Sequence, residues 1–227
     1  MASTITLQNV VNVSQIFLRN LPLGSLNGVV NEPALTIANM TAAIILAPPL
    51  SWPWNSAIST TTTLTVGTPT VTVSLPSFGW LQTASVTLGG VTTQLTIKDD
   101  LGESSQQQLP TFISVKGQDG LGNVTFRMMG VPDQAYTLNL DYQQAPPLFT
   151  TLSQTWSPIP DSLSHIYQLG FRAFAYEIDA DPRWQATMQL FLSQLLNAHG
   201  GLSEQQKNLF LQNYAAFARV PQTQTRR

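Results

Sequence analysis

Tyr136-Thr-Leu-Asn-Leu-Asp-Tyr142 alternates apolar and polar side chains, and Gln143-Gln-Ala-Pro146-Pro147 follows it directly. Strict alternation marks a half-buried strand, because successive side chains point to opposite faces of a sheet. The two prolines end that strand, since neither can donate to a ladder. A connector then runs to Pro160-Asp161, where a helix is expected to open. The stretch therefore reads as a rigid joint between a β region and a helical region.

Upstream of the joint the chain reads as strands. Thr and Val alternate through Thr63–Val73, and Val86–Leu88, Thr92–Ile97, Phe112–Val115 and Asn123–Met128 continue the pattern. Gly89-Gly90, Asp99–Gly102, Gln118-Asp-Gly-Leu-Gly122 and Val131-Pro-Asp133 supply the turns between them. Short strands with this punctuation imply an antiparallel sandwich or a small barrel.

Downstream, Asp161 is placed to cap a helix with Leu163, Ile166, Tyr167, Phe171, Phe174 and Ile178 on its inner face. Asp181-Pro182 suggests a second cap, followed by a stripe of Trp184, Met188, Phe191, Leu192 and Leu195 that ends at Gly200-Gly201. Ser203 and Gln206 have capping-box spacing for a last helix through Leu209, Phe210, Tyr214 and Phe217. At the other end, Val10, Val13, Phe17 and Leu18 fall at helical spacing. A second helix is expected from Glu32-Pro33, with Leu35, Ala38, Ala42, Ile45 and Leu46 as its apolar face and Pro48-Pro49 as its stop.

The fold class expected is α+β, an antiparallel β-sandwich or small barrel inserted between N-terminal helices and a C-terminal helical bundle. The expected boundaries are 1–57 for the N-terminal helical segment, 58–145 for the β-rich domain, 146–220 for the C-terminal helical domain and 221–227 for an extended tail.

Composition narrows the function. Only 10% of residues are charged, against roughly 25% in ordinary soluble domains. Thr, Ser, Gln and Asn replace them, which suits surfaces that finish against other protein, so an obligate oligomer is expected. A net charge of −2 gives no electrostatic grip on nucleic acid. The chain has no Cys, which excludes disulfides and thiolate metal sites. Met1–Leu7 lacks the basic start and apolar run of a secretory signal, and the apolar stretch Ala42–Leu50 is too short to span a bilayer.

Catalytic constellations are sparse. His165 and His199 fall on expected helices, and no His-x-x-x-His pair, Gly-x-Ser-x-Gly elbow or phosphate-binding Gly-x-x-x-x-Gly-Lys occurs. Asp99-Asp100 reads as a solvated turn. Glu177, Asp179 and Asp181 cluster between two helices, where capping and pairing with Arg172 and Arg183 explain them more simply than a metal or a carboxylate pair. Neither an enzyme nor a cofactor or metal site is expected. Trp52, Trp54, Trp80, Trp156 and Trp184 raise the alternative of a sugar-stacking platform, although most of them sit in connectors or on a helical stripe.

The series Tyr136–Pro147, then Trp156-Ser-Pro-Ile-Pro-Asp161, then a helix leading to Asp179-Ala-Asp-Pro-Arg183, resembles the head-to-tail adaptor (neck, or connector) proteins of tailed bacteriophages. Glu32-Pro-Ala-Leu-Thr-Ile-Ala-Asn39 and Trp52-Pro-Trp-Asn55 are similar to the same group, so the resemblance spans most of the chain. It implies a structural virion protein of the neck, assembled in the host cytoplasm. Such a protein forms a dodecameric ring that binds the portal protein, extends the channel through which DNA passes unbound during genome ejection, and presents a docking surface to tail or nozzle proteins, with no membrane partner. It further implies that C-terminal residues, here Tyr214, Phe217, Arg219, Val220, Arg226 and Arg227, engage the portal. The Thr-rich stretch Thr60–Thr65 lies outside the shared pattern. A tail or baseplate protein, or a carbohydrate-binding receptor-recognition protein, is the alternative.

Overall fold

The computed structural model describes residues 3–18, 21–26, 28–102 and 105–214. The chain folds as two compact units, one from residues 1–54 and 146–227 and the other from residues 55–145. The fold is α+β.

The first unit is helical. Its described helices are α1 (Leu7–Gln15), α2 (Ala34–Ile45), α3 (Ser164–Ile178), α4 (Trp184–His199) and α5 (Glu204–Asn213), with a two-stranded hairpin, β1 (Ser25–Leu26) and β2 (Val29–Val30), between α1 and α2. Helix α3 packs against α1, α2 and α4. One apolar core gathers residues from both ends of the chain, including Val10, Ile37, Ile45, Trp156, Phe171 and Phe191. Gly170 marks the closest packing. A Cβ there would lie 2.8 Å from the Phe191 ring and 2.9 Å from the Thr41 methyl group, closer than packed atoms approach.

Polar side chains tie the connectors of this unit to its helices. The Asn39 amide donates to the Phe149 carbonyl at 3.1 Å and accepts from the Phe149 N–H at 2.8 Å, imitating a backbone ladder. Gln15 does the same for the carbonyl of Leu21 and the N–H of Leu23, at 3.0 and 2.9 Å. The Trp52 indole donates to the Ile45 carbonyl at 2.8 Å, satisfying one of the orphan acceptors at the end of α2.

The second unit is a β-sandwich, not a barrel. One sheet has the order β3 (Ser56–Thr63), β10 (Thr137–Gln144), β5 (Phe78–Leu88), β6 (Val91–Gln94), all antiparallel. The other has the order β4 (Thr70–Ser74), β9 (Asn123–Met129), β8 (Phe112–Gln118), β7 (Thr96–Ile97). Its last pairing, β7 with β8, is parallel, a departure from the purely antiparallel expectation. Leu138, Leu140 and Tyr142 of β10 meet Val124, Phe126 and Met128 of β9 in a shared core. At the β8–β9 turn the Asp119 carboxylate accepts from the N–H groups of Leu121 and Asn123, and these bonds with the Asn123 amide hold it below its usual pKa.

Several local expectations need correction. Helix α1 buries Leu7, Val10, Val11 and Ser14, while Val13 and Phe17 are exposed. A serine completes the inner stripe, so an apolar periodicity misplaces the face. The alternating Thr63–Val73 run is broken into β3 and β4 by a turn with Gly67 at φ +77° and Pro69 after it. The Thr92–Ile97 run divides at the buried Leu95, where the chain passes from one sheet to the other. Strand β5 extends back to Phe78, with Gly79 and Trp80 obscuring its alternation.

Candidate functional site

The chain leaves the helical core along α5. Gly200 ends α4 in the left-handed region at φ +63°, and Ser203 then caps α5 in a full capping box with Gln206. Only Phe210 of α5 is buried, and it meets Tyr214 at a ring separation of 4.8 Å. Leu209 and Leu211 are exposed, at 54% and 37%, among Gln205, Asn208 and Gln212. Between α4 and α5 lies an open groove of about 290 Å³ lined by Leu192, Leu196 and Leu211 with Gln189 and Asn208. A Lys207–Glu204 ion pair at 2.7 Å stands at its side. Helix α5 is thus anchored by few side chains, with amides and leucines outward.

Tyr214 is half-buried and packs against the helical core, and burial raises its pKa. Phe217, Arg219, Val220, Arg226 and Arg227 lie outside the described residues.

Asp161 does not cap a helix. Residue 160 precedes the short turn Asp161–Leu163, and the Asp161 carboxylate reaches back to the start of the chain. It accepts from the Ser3 hydroxyl at 2.7 Å, from the Thr4 hydroxyl, and from the Thr4 N–H at 3.0 Å. These bonds lower its pKa to about 2. The clasp continues as backbone bonds from Leu7 to Gln154 and from Trp156 to Ile5. Beside it, Trp156 stacks on Tyr167 at 4.5 Å with the planes 7° apart. Burial, aided by the Asp161 charge, pushes the Tyr167 phenol up to about 12.

The acidic cluster is also structural. Asp181 is not the N-cap of α4; that position is Arg183, whose side chain makes no capping bond. Instead the Asp181 carboxylate accepts from the Arg183 N–H at 2.9 Å and from its guanidinium at 2.6 Å, which raises the arginine pKa. The same guanidinium donates to the Phe17 carbonyl and lies 4.4 Å from the Tyr176 ring centroid. The guanidinium of Arg172 lies over the Phe17 ring, 5.1 Å from its centroid. Asp179 closes α3, and burial raises the pKa of Glu177. Among the described residues no group of three or more His, Asp or Glu could hold a metal ion, and no helix is long and apolar enough to cross a membrane.

His165 is exposed, whereas His199 hydrogen-bonds the Ser51 carbonyl at 2.8 Å and meets the Trp52 ring edge-on at 5.0 Å. Trp52 stacks on Trp54, Trp156 is fully buried, and Trp184 packs against the helical core. Four of the five tryptophans thus serve one core.

Helix α5 is thus lightly anchored, and the described residues bring together no metal-binding group. The family model described as SU10 adaptor protein matches residues 19–222. The chain therefore belongs to the SU10 adaptor protein family and is a phage adaptor protein. No curated protein sequence matches it.

Proposed function

We propose that this adaptor is a non-enzymatic virion component of the head-to-tail neck, built as an oligomeric ring that binds the portal, extends the DNA channel and receives tail proteins. The observation that carries the proposal is the family match across residues 19–222. The helical unit is the portal-facing part, and α5 with the following residues forms the docking element. Residues 215–227 bring Arg219, Arg226 and Arg227 and no acidic residue, set against a chain whose net charge is −2. Exposed Leu209 and Leu211 extend that element into the described structure. A ring requires two different complementary faces on each subunit, closing by rotation. Low surface charge favours such packing, because burying unpaired charge is costly. The same weak, slightly acidic field lets DNA pass without being held.

The test is mass by light scattering, alone and with the cognate portal, for the intact chain and for one ending at Val220. Ring-sized mass with portal, reduced on truncation, is the expected outcome. An intact chain that stays monomeric and never binds portal would overturn the proposal.

A further inference from the structure

Residues 33–97 contain no Asp, Glu, Lys, Arg or His. That charge-free run supplies β3, β4, β5 and β6 of the sandwich. Open sheet edges are usually guarded by charge, proline or brevity, because their outward N–H and C=O groups will pair with any strand offered. The two sheets differ here. The second sheet ends at β7, two residues long, with Lys98, Asp99 and Asp100 exposed just after it. Its other edge, β4, is enclosed between Pro69 and Pro76. The first sheet ends at β3 and β6, and neither strand contains a charge or a proline.

The two edges of the first sheet also fit one another. Against β10, strand β3 shifts register between Ser59 and Thr62, leaving Ser56–Ser59 as an unbroken arm. This arm has four residues, and β6 has four. The three pairings between these edges are all antiparallel, so β3 and β6 run in opposite directions. Two copies set side by side without inversion would place β3 of one antiparallel to β6 of the next, continuing the alternation. In the second sheet the parallel β7–β8 pairing makes β4 and β7 run the same way, so side-by-side copies would meet there in the less stable parallel geometry.

We propose that β3 of one copy pairs head to tail with β6 of the next, joining the sandwiches of neighbouring subunits into one sheet. The inference rests on the ring reading above and assigns it one of its two faces. Thr, Ser and Gln side chains on both strands leave no charge to desolvate at the junction, and the backbone groups supply the bonds. Ile58, 69% exposed on β3, then gains a neighbour across the seam.

The absence of Cys makes the seam testable by cross-linking. Ile58, Thr92 and Gln94 project from the outer face of the sheet: Ile58 is opposite Asp141, Thr92 bonds Thr87, and Gln94 is opposite Ser85. Mild oxidation of I58C/T92C or I58C/Q94C, alone and with cognate portal, is expected to give a ladder of linked chains that neither single substitution gives. Ile58→Lys is expected to weaken assembly at least tenfold with the melting temperature unchanged. Linked dimers from I58C alone would overturn the head-to-tail seam in favour of a two-fold one. Ring-sized particles with neither pair cross-linked and I58K without effect would overturn the seam and leave the ring standing. Monomers under every condition would remove both.

Discussion

The helical unit closes upon itself, and the sandwich does not. In the first, the Asp161 and Asn39 side chains bond backbone 157 and 110 residues away, Gln15 ties down the nearby backbone of Leu21 and Leu23, and Trp52 closes the end of α2. In the second, exposed cross-strand pairs such as Thr72 with Thr125 and Thr87 with Thr92 line the outer surface, beside bonds to backbone from Asn55 and Tyr142. The aromatic load follows the same division. Of the largest fully buried side chains, Trp156, Tyr167, Phe171, Phe174, Phe191 and Phe210 all belong to the helical unit, and only Phe126 belongs to the sandwich. A unit that satisfies its own backbone offers α5 as its described outlet, whereas a sheet with two unguarded edges keeps its outward groups for a neighbour.

The largest expected effect strikes the closed unit. Trp156→Ala removes a fully buried ring stacked on Tyr167 and should cost about 3–5 kcal/mol in urea unfolding followed by helical circular dichroism. A loss of under about 1 kcal/mol would mean the unit does not depend on that stack. Gly170→Ala gains helix propensity but drives a methyl into Phe191 and Thr41, and the net is a loss of about 1–3 kcal/mol. Stabilisation instead would show that the three helices have slack where they meet.

Asp161 gives the comparison a pH signature. Its pKa in the folded chain is about 2, below the ordinary value of 3.8, so the clasp contributes fully above about pH 4. That contribution is lost as pH falls through the folded value, because the unfolded state then binds the proton more readily. Asp161→Asn should lower the melting temperature at pH 7 and flatten its fall between about pH 4 and 2. An unchanged acid limb would show that the clasp does not hold the unit closed. Ser203→Ala should cost about 1 kcal/mol through loss of the capping box, fray α5 and weaken portal association while the α3–α4 core persists. Smallest of all, Thr72→Val on the sandwich surface should stay within about 0.5 kcal/mol, since its bond to Thr125 is solvent-exposed.

Legibility in the sequence follows the range of the interaction. The Tyr136–Tyr142 alternation identifies β10, because its burial alternates with the side chains. The Ser203–Gln206 box is equally readable, being complete within four residues. Asp161 misleads because its partner Thr4 is 157 residues away, and a local rule for helix caps offers a nearer explanation. The face of α1 escapes the pattern because Ser14 occupies a buried position that apolar periodicity skips. Of the candidate docking residues, Tyr214 is half-buried and the others lie beyond the described chain, so the exposed leucines of α5 come from the structure alone.

Amide hydrogen exchange, comparing the free chain with the portal-bound assembly, tests the contrast between closed and open units most directly. Assembly should slow exchange in Ser56–Ser59, Val91–Gln94 and α5, and leave the backbone around Trp156 and the Asp161 clasp unchanged. Protection confined to the helical core, with both sheet edges exchanging as fast as in the free chain, would contradict that contrast.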